Sequence, residues 1–186
     1  MNQSLFLVDN TTLVSFALIG HLSALPAILN GCGRVCATVE GEAQRHAAFN
    51  SADARLQPLS AVGQLLQVET ANTEEMVHTQ KLRRLLARPG DGPTKHLGEA
   101  ETLAIIEHRY YSSAVIVTDD DSATRLAKSL GIAFATTLGL LQQSYNSQIL
   151  TDQQLLTAIT TLRKEGRKAP WPITSLGQVR QWAQPL

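Results

Sequence analysis

The sequence predicts an α/β protein of three layers, α/β/α, with helices on both sides of a central parallel sheet, and three observations carry the prediction. Strand and helix signals alternate along the chain, as successive βαβ units require. Two short runs, residues 5–8 (LFLV) and 114–117 (AVIV), are apolar at every position rather than at alternate ones, which marks strands buried on both faces. With 44% hydrophobic residues in 186, the chain can fill one core and is too short for two ordinary domains, so one domain over 1–186 is expected.

In order, residues 5–8 form the first strand. Asn10, Thr11 and Thr12 then supply capping side chains for a helix over 13–19 that Gly20 ends, and a second short helix spans 21–29. Residues 33–38 read as a brief strand, and 39–49 as a helix carrying Glu40, Glu42, Gln44, Arg45 and His46. The stretch 50–63 is polar and irregular, and 64–68 is the next strand. Asn72 with Glu75 three positions on is a capping box, whose helix ends in Lys81, Arg83, Arg84 and Arg88 before Pro89 and Gly90 break the pattern. Gly98 opens a helix running to about 111, residues 114–117 are the clearest internal strand, and a helix over 122–130 stops at Gly131. A strand over 132–135 and a helix over 138–145 close a core of about 4–145. Helices over 151–164, with a Thr cap, and 175–183 form an extension over about 151–186.

Lysine plus arginine equals aspartate plus glutamate at 16 each, so no global positive field draws the protein to nucleic acid. Any basic surface is local, at residues 81–88 or at Arg163, Lys164, Arg167 and Lys168. These either follow an RNA backbone or complement helix C-termini. Cys32 and Cys36 have no clustered histidine or further cysteine beside them, so buried free thiols in a reducing cytosol are expected rather than a zinc site. The five histidines are scattered, and His96 reads as a plain surface residue, with a phosphate contact as its other reading. Trp171 and Trp182 are expected to anchor the tail. No apolar run reaches 18 residues and no cationic leader precedes one, which predicts a cytoplasmic protein that does not enter a membrane.

The acids carry the chemistry. A parallel sheet would gather Asp9, Glu42, Glu99 with Glu101, and Asp119, Asp120 and Asp121. Several carboxylates within a few ångströms cannot all stay ionised unless a cation sits among them. Hard ions such as Mg²⁺ or Mn²⁺ take such oxygen ligands and keep positions open for phosphate, so the natural substrate is a phosphodiester. Ligands of a shared ion, or of a pair of ions, require Asp9 and Asp120 to lie within about 10 Å.

The segments LVDNTTLVSFALIGHLSAL, ATVEGEA, LGEAETLAI and VIVTDDDSATRLAKSLGI, followed by TTLGLL, resemble the PIN-domain family, in the branch that includes VapC-type toxins and their uncharacterised relatives. The resemblance implies a PIN-like fold and a metal-dependent ribonuclease using Mg²⁺ or Mn²⁺, with RNA as substrate, a small antitoxin as partner, and a homodimer. It assigns Asp9 as the acid ending the first strand, Thr11 as the hydroxyl that orients it, and Glu42 as the acid of the second helix. In GEAETLA it points to Glu101 rather than Glu99; periodicity does not decide between them, because apolar residues surround this helix almost completely. The threonine, any residue, acid pattern places Thr118 before Asp120 as ligand, with Asp119 second, and leaves Asp121 and Ser122 as cap positions.

Each acid also has a structural reading: Asp9 could start a helix, Asp119 to Asp121 could cap one, and Glu40 with Glu42 could face solvent. A catalytically inactive PIN-like module that binds RNA or protein is the alternative function. Aspartyl-phosphate chemistry of the haloacid-dehalogenase kind would need a second aspartate where Thr11 stands.

Overall fold

A computed structural model describes residues 4–170 and 173–184. Its sheet contains β1 (Leu5–Val8), β2 (Gly33–Cys36), β3 (Gln67–Glu69), β4 (Ala114–Val117) and β5 (Ala133–Ala135). All pairings are parallel, in the order β3-β2-β1-β4-β5. At the centre Leu5 lies opposite Ala114 and Val8 opposite Val117. Leu7, Val8, Ile116 and Val117 are fully buried, as their unbroken apolar sequence demands.

This order fixes where a site can form. The chain moves outward from β1 through β2 to β3, then returns to the middle at β4, so the winding reverses between β1 and β4. Connections leaving two such strands diverge and open a crevice beyond their carboxyl ends, where ligands of open α/β sheets bind. Asp9 and Thr118 are the first residues past those ends, and the Asp9 N–H still donates to the Val117 carbonyl at 2.9 Å.

Helices follow the strands almost without loops. α1 (Asn10–Leu18) leaves β1 at once and is buried over residues 12–18; α2 (Leu25–Ile28) is a single turn; α3 (Ala37–Phe49) leaves β2 directly. α4 (Val62–Leu65) precedes β3, and α5 (Thr73–Leu86) packs on α6 (Leu97–Ile105). α7 (Asp121–Ser129) follows β4 and α8 (Thr137–Asn146) follows β5. α9 (Asp152–Lys164) and α10 (Leu176–Ala183) pack on each other and on α8, with Trp182 against the core. Trp171 lies outside the described residues. Among the described residues, no single helix is long and apolar enough to cross a membrane.

Four local expectations shift. The cap of α1 is Asp9, whose side chain accepts from the Thr11 N–H, and Asn10, Thr11 and Thr12, expected as caps, are the first residues of the helix itself. The strand predicted over 64–68 begins only at Gln67, because Val62–Leu65 forms α4 and buries Val62 and the following Leu66 from a helical turn. The stretch 50–63 contains a 3₁₀ turn, Gln57–Ala61, that buries Leu59. The helix predicted from 98 to about 111 is α6 followed by a π-helical turn, Ile106–Tyr110, which delivers Arg109 and Tyr110 to Glu69 at 2.9 and 3.1 Å. The capping box is present: Asn72 Oδ1 accepts from the Glu75 N–H at 3.0 Å, and Glu75 accepts from the Asn72 N–H at 2.7 Å.

Candidate metal centre

Asp9 is almost wholly buried where β1 becomes α1. Its Oδ2 accepts from Thr11 Oγ1 at 2.7 Å, Thr118 Oγ1 at 3.0 Å and the Thr11 N–H at 3.3 Å. Two hydroxyls from different strand ends thus hold one carboxylate. Burial raises the Asp9 pKa, while these hydroxyls and the Asn10 and Thr11 amides pull it down.

Thr118 also ties Asp9 to the second strand end, because its Oγ1 accepts from the Asp120 N–H at 3.1 Å. The Asp9 carboxylate and the Asp120 amide therefore sit on either side of one hydroxyl. Asp120 is the N-cap of α7; one oxygen accepts from Ser122 Oγ at 2.6 Å and the Ala123 N–H at 2.8 Å. Partial burial pushes its pKa upward, but the Ser122 hydroxyl and the Ala123 and Ser122 amides outweigh this and hold it below the usual range.

The neighbouring aspartates turn elsewhere. Asp119 accepts from the Thr137 N–H at 2.9 Å and Thr137 Oγ1 at 2.5 Å, so both of its oxygens fasten the start of α8. Asp121 pairs with Lys168.

Glu42 and Glu99 complete the acids from α3 and α6. Gly98 is backed against Glu42 so closely that a Cβ there would lie 3.0 Å from its Oε2 and 2.9 Å from Val39. Glycine at this position lets the first turn of α6 bring its amide to the carboxylate. Burial, then Asp9 and Glu99, push Glu42 up to about 7. Burial, then Asp9, push Glu99 up to about 7 as well. Glu40, two residues from Glu42, rests against Gly63 instead.

Of the two glutamates on α6, the structure brings Glu99 to this cluster and turns Glu101 into a separate groove with Thr38, Thr70, Met76, Val77 and Leu97. Residues two apart on a helix project about 200° from each other, so one ion cannot take both. The apolar surroundings that hid this phase are real, since Ala100, Thr102, Leu103, Ala104 and Ile105 are all buried.

His96 is the participant that the sequence left on the surface. It is buried just ahead of α6 in a left-handed conformation, φ 63°. One ligand atom each from His96, Glu99 and Asp120 lie within 4.8 Å of one another. The loop before α6 carries it there: Asp91 accepts from the Arg88 N–H at 2.8 Å and Lys95 Nζ at 2.6 Å, and Arg83 reaches the Gly92 and Lys95 carbonyls at 3.4 Å. The only sequence signal was proximity, three residues before Glu99.

No lysine or arginine forms an ion pair with Asp9, Glu42, Glu99 or Asp120 among the described residues; Arg45 only moderates Glu42 from a distance. The cluster is an oxygen-rich donor set whose mutual repulsion a divalent cation would relieve, so the residues fit a metal. The two basic clusters are partly engaged elsewhere: Arg83 holds the loop before α6, Arg163 reaches the Pro170 carbonyl at 2.8 Å, and Lys168 meets Asp121.

The chain matches the family described as PIN domain over residues 5–171. No curated protein and no solved structure matches it.

Proposed function

Because the chain belongs to the PIN-domain family, whose members are commonly metal-dependent nucleases, we propose that it hydrolyses RNA phosphodiesters with Mg²⁺ or Mn²⁺ held by Asp9, Glu99 and Asp120 and supported by Glu42. One observation carries the proposal: acids from four chain segments converge at the reversal between β1 and β4 with no lysine or arginine among the described residues paired to them. An ion bound there would acidify an attacking water and offset charge on the leaving oxygen.

The chain's own residues prepare that site. Thr11 and Thr118 hold Asp9 in one orientation, and the Ser122 and Ala123 donors keep Asp120 ionised. Burial and the neighbouring carboxylates raise Glu42 and Glu99 to about 7, and a cation bound there would favour their ionised forms. No side chain need act as nucleophile.

The resemblance to VapC-type toxins extends the proposal: a homodimeric toxin of a toxin–antitoxin pair, restrained by a small antitoxin that covers the acids. Purified protein incubated with RNA after chelation, then with added Mn²⁺ or Mg²⁺, tests the activity. Cleavage is expected only with the ion, and Asp9→Asn or Asp120→Asn should lower it about a hundredfold or more. Equal activity in wild type and both variants, or none with any divalent ion, would reject it.

A further inference from the structure

We propose that His96 binds the ion directly through Nδ1, beside Glu99 and Asp120, with Asp91 facing its far nitrogen, so that the centre is a mixed nitrogen–oxygen site selecting transition-metal ions such as Mn²⁺ or Zn²⁺ over Mg²⁺. This rests on the reading that the acidic cluster holds a divalent cation.

The imidazole itself points to a missing partner. The His96 side chain is 7% exposed, yet both ring nitrogens are buried without a hydrogen-bond partner. Leaving such groups unpaired is costly, and native structures nearly always satisfy them. Nδ1 lies 3.5 Å from Glu99 Oε1 and Nε2 lies 3.5 Å from Asp91 Oδ2.

A gap of 3.5 Å is too long for a good hydrogen bond. It does suit two donors of one ion, since atoms each about 2.1 Å from a shared cation are roughly 3.0–3.5 Å apart at angles between octahedral and tetrahedral. On the far side, Asp91 Oδ2 faces Nε2 across the same 3.5 Å, on the side from which carboxylates commonly orient a ligating histidine, and Nε2–H would close on it once Nδ1 is bound. Asp91 is itself pinned by the Arg88 amide and Lys95.

The backbone is set for this task. His96 is one of four described non-glycine residues at positive φ, a conformation that disfavours most side chains, and it immediately precedes the helix that delivers Glu99. Imidazole nitrogen binds later first-row ions far better than it binds Mg²⁺, which prefers an all-oxygen shell. One nitrogen among the ligands therefore changes which ion the site prefers.

Calorimetric titration of the chelator-treated full chain with Mn²⁺, Zn²⁺ and Mg²⁺ tests the assignment, using wild type, His96→Asn and Asp120→Asn. Asparagine tolerates positive φ, so His96→Asn removes the imidazole and keeps the backbone; His96→Gly serves the same purpose should the first variant fold poorly. His96→Asn is expected to weaken Mn²⁺ and Zn²⁺ about tenfold or more and Mg²⁺ by less than about threefold, whereas Asp120→Asn weakens all three. Pulsed electron paramagnetic resonance of bound Mn²⁺ should show nitrogen coupling in wild type that His96→Asn or His96→Gly abolishes. Unchanged Mn²⁺ and Zn²⁺ affinity in the histidine variants, or no nitrogen coupling in wild type, overturns the ligand assignment alone. No binding of any of the three ions by wild type overturns the nuclease reading beneath it as well.

Discussion

Two groups of buried acids lie at the carboxyl ends of this sheet, and they solve the same electrostatic problem differently. At the end of β3, Arg109 donates to Glu75 from Nε at 2.6 Å and from a terminal nitrogen at 2.5 Å, and its other terminal nitrogen reaches Glu69 at 2.9 Å. Burial alone would raise the Glu75 pKa, but Arg109 and the Asn72 amide bring it below the ordinary value. At the ends of β1 and β4, Glu42 and Glu99 have no such guanidinium and sit near 7. A buried carboxylate whose counter-charge is built into the chain is structural; one whose counter-charge is absent from the chain is prepared for a cation from solution.

The comparison breaks most visibly if Arg109 is removed. Arg109→Ala leaves Glu75 buried and unpaired, and should cost about 3 kcal/mol in urea unfolding whether or not a divalent ion is present, the lower part of the range because the guanidinium is partly exposed. Asp9→Asn should do the reverse. Without metal the variant unfolds no more easily than wild type, because a repelling charge has gone. With saturating Mn²⁺ it should lack the roughly 2–3 kcal/mol that the ion adds to wild type at about a hundred times its dissociation constant. Loss of stability in Asp9→Asn without metal would mean that its charge is structural, as that of Glu75 is.

Gly98→Ala comes next. The added methyl must displace Glu42 and Val39, so about 1–3 kcal/mol of overpacking should accompany weaker Mn²⁺ binding. The equivalent change at Gly92, where a Cβ would meet nothing within 4 Å, provides the control.

A last test separates the two regions by pH. Glu42 and Glu99 have folded values raised to about 7 from 4.5, so between those limits the folded state binds more protons than the unfolded one. Their contribution to stability therefore falls as pH rises from about 4.5 to about 7 in chelated protein, and saturating Mn²⁺ should flatten that slope. Glu75, whose folded value is lowered, contributes in the opposite sense, with stability lost as the medium is acidified below its unfolded value. Thermal melts of wild type and Glu42→Gln, with and without Mn²⁺, read both slopes.

The parts of this arrangement written in local pattern were readable before any coordinates. LFLV and AVIV are buried on both faces because nothing polar interrupts them, and Asn72 with Glu75 forms the expected cap. Asp9, Thr11, Thr118 and Asp120 meet as strand ends should, since their positions follow from the sheet order. What escaped depends on helix phase and loop geometry. Glu99 and Glu101 look alike within an apolar helix, and only the packing of α6 against α3 through Gly98 orients one of them inward. His96 is carried inward by a turn whose hydrogen bonds are donated by Arg83 and accepted by Asp91, which no periodicity encodes. The threonine, any residue, acid pattern ranks Asp120 ahead of Asp119 but does not foresee why Asp119 turns away: Thr137, eighteen residues later, claims its oxygens.

The bond from Thr118 to Asp9 joins residues 109 positions apart, with the first strand on one side and the fourth on the other. During synthesis this sets an order: Asp9 leaves the ribosome 109 residues ahead of Thr118, so β1 ends in an unclasped carboxylate until β4 docks beside it.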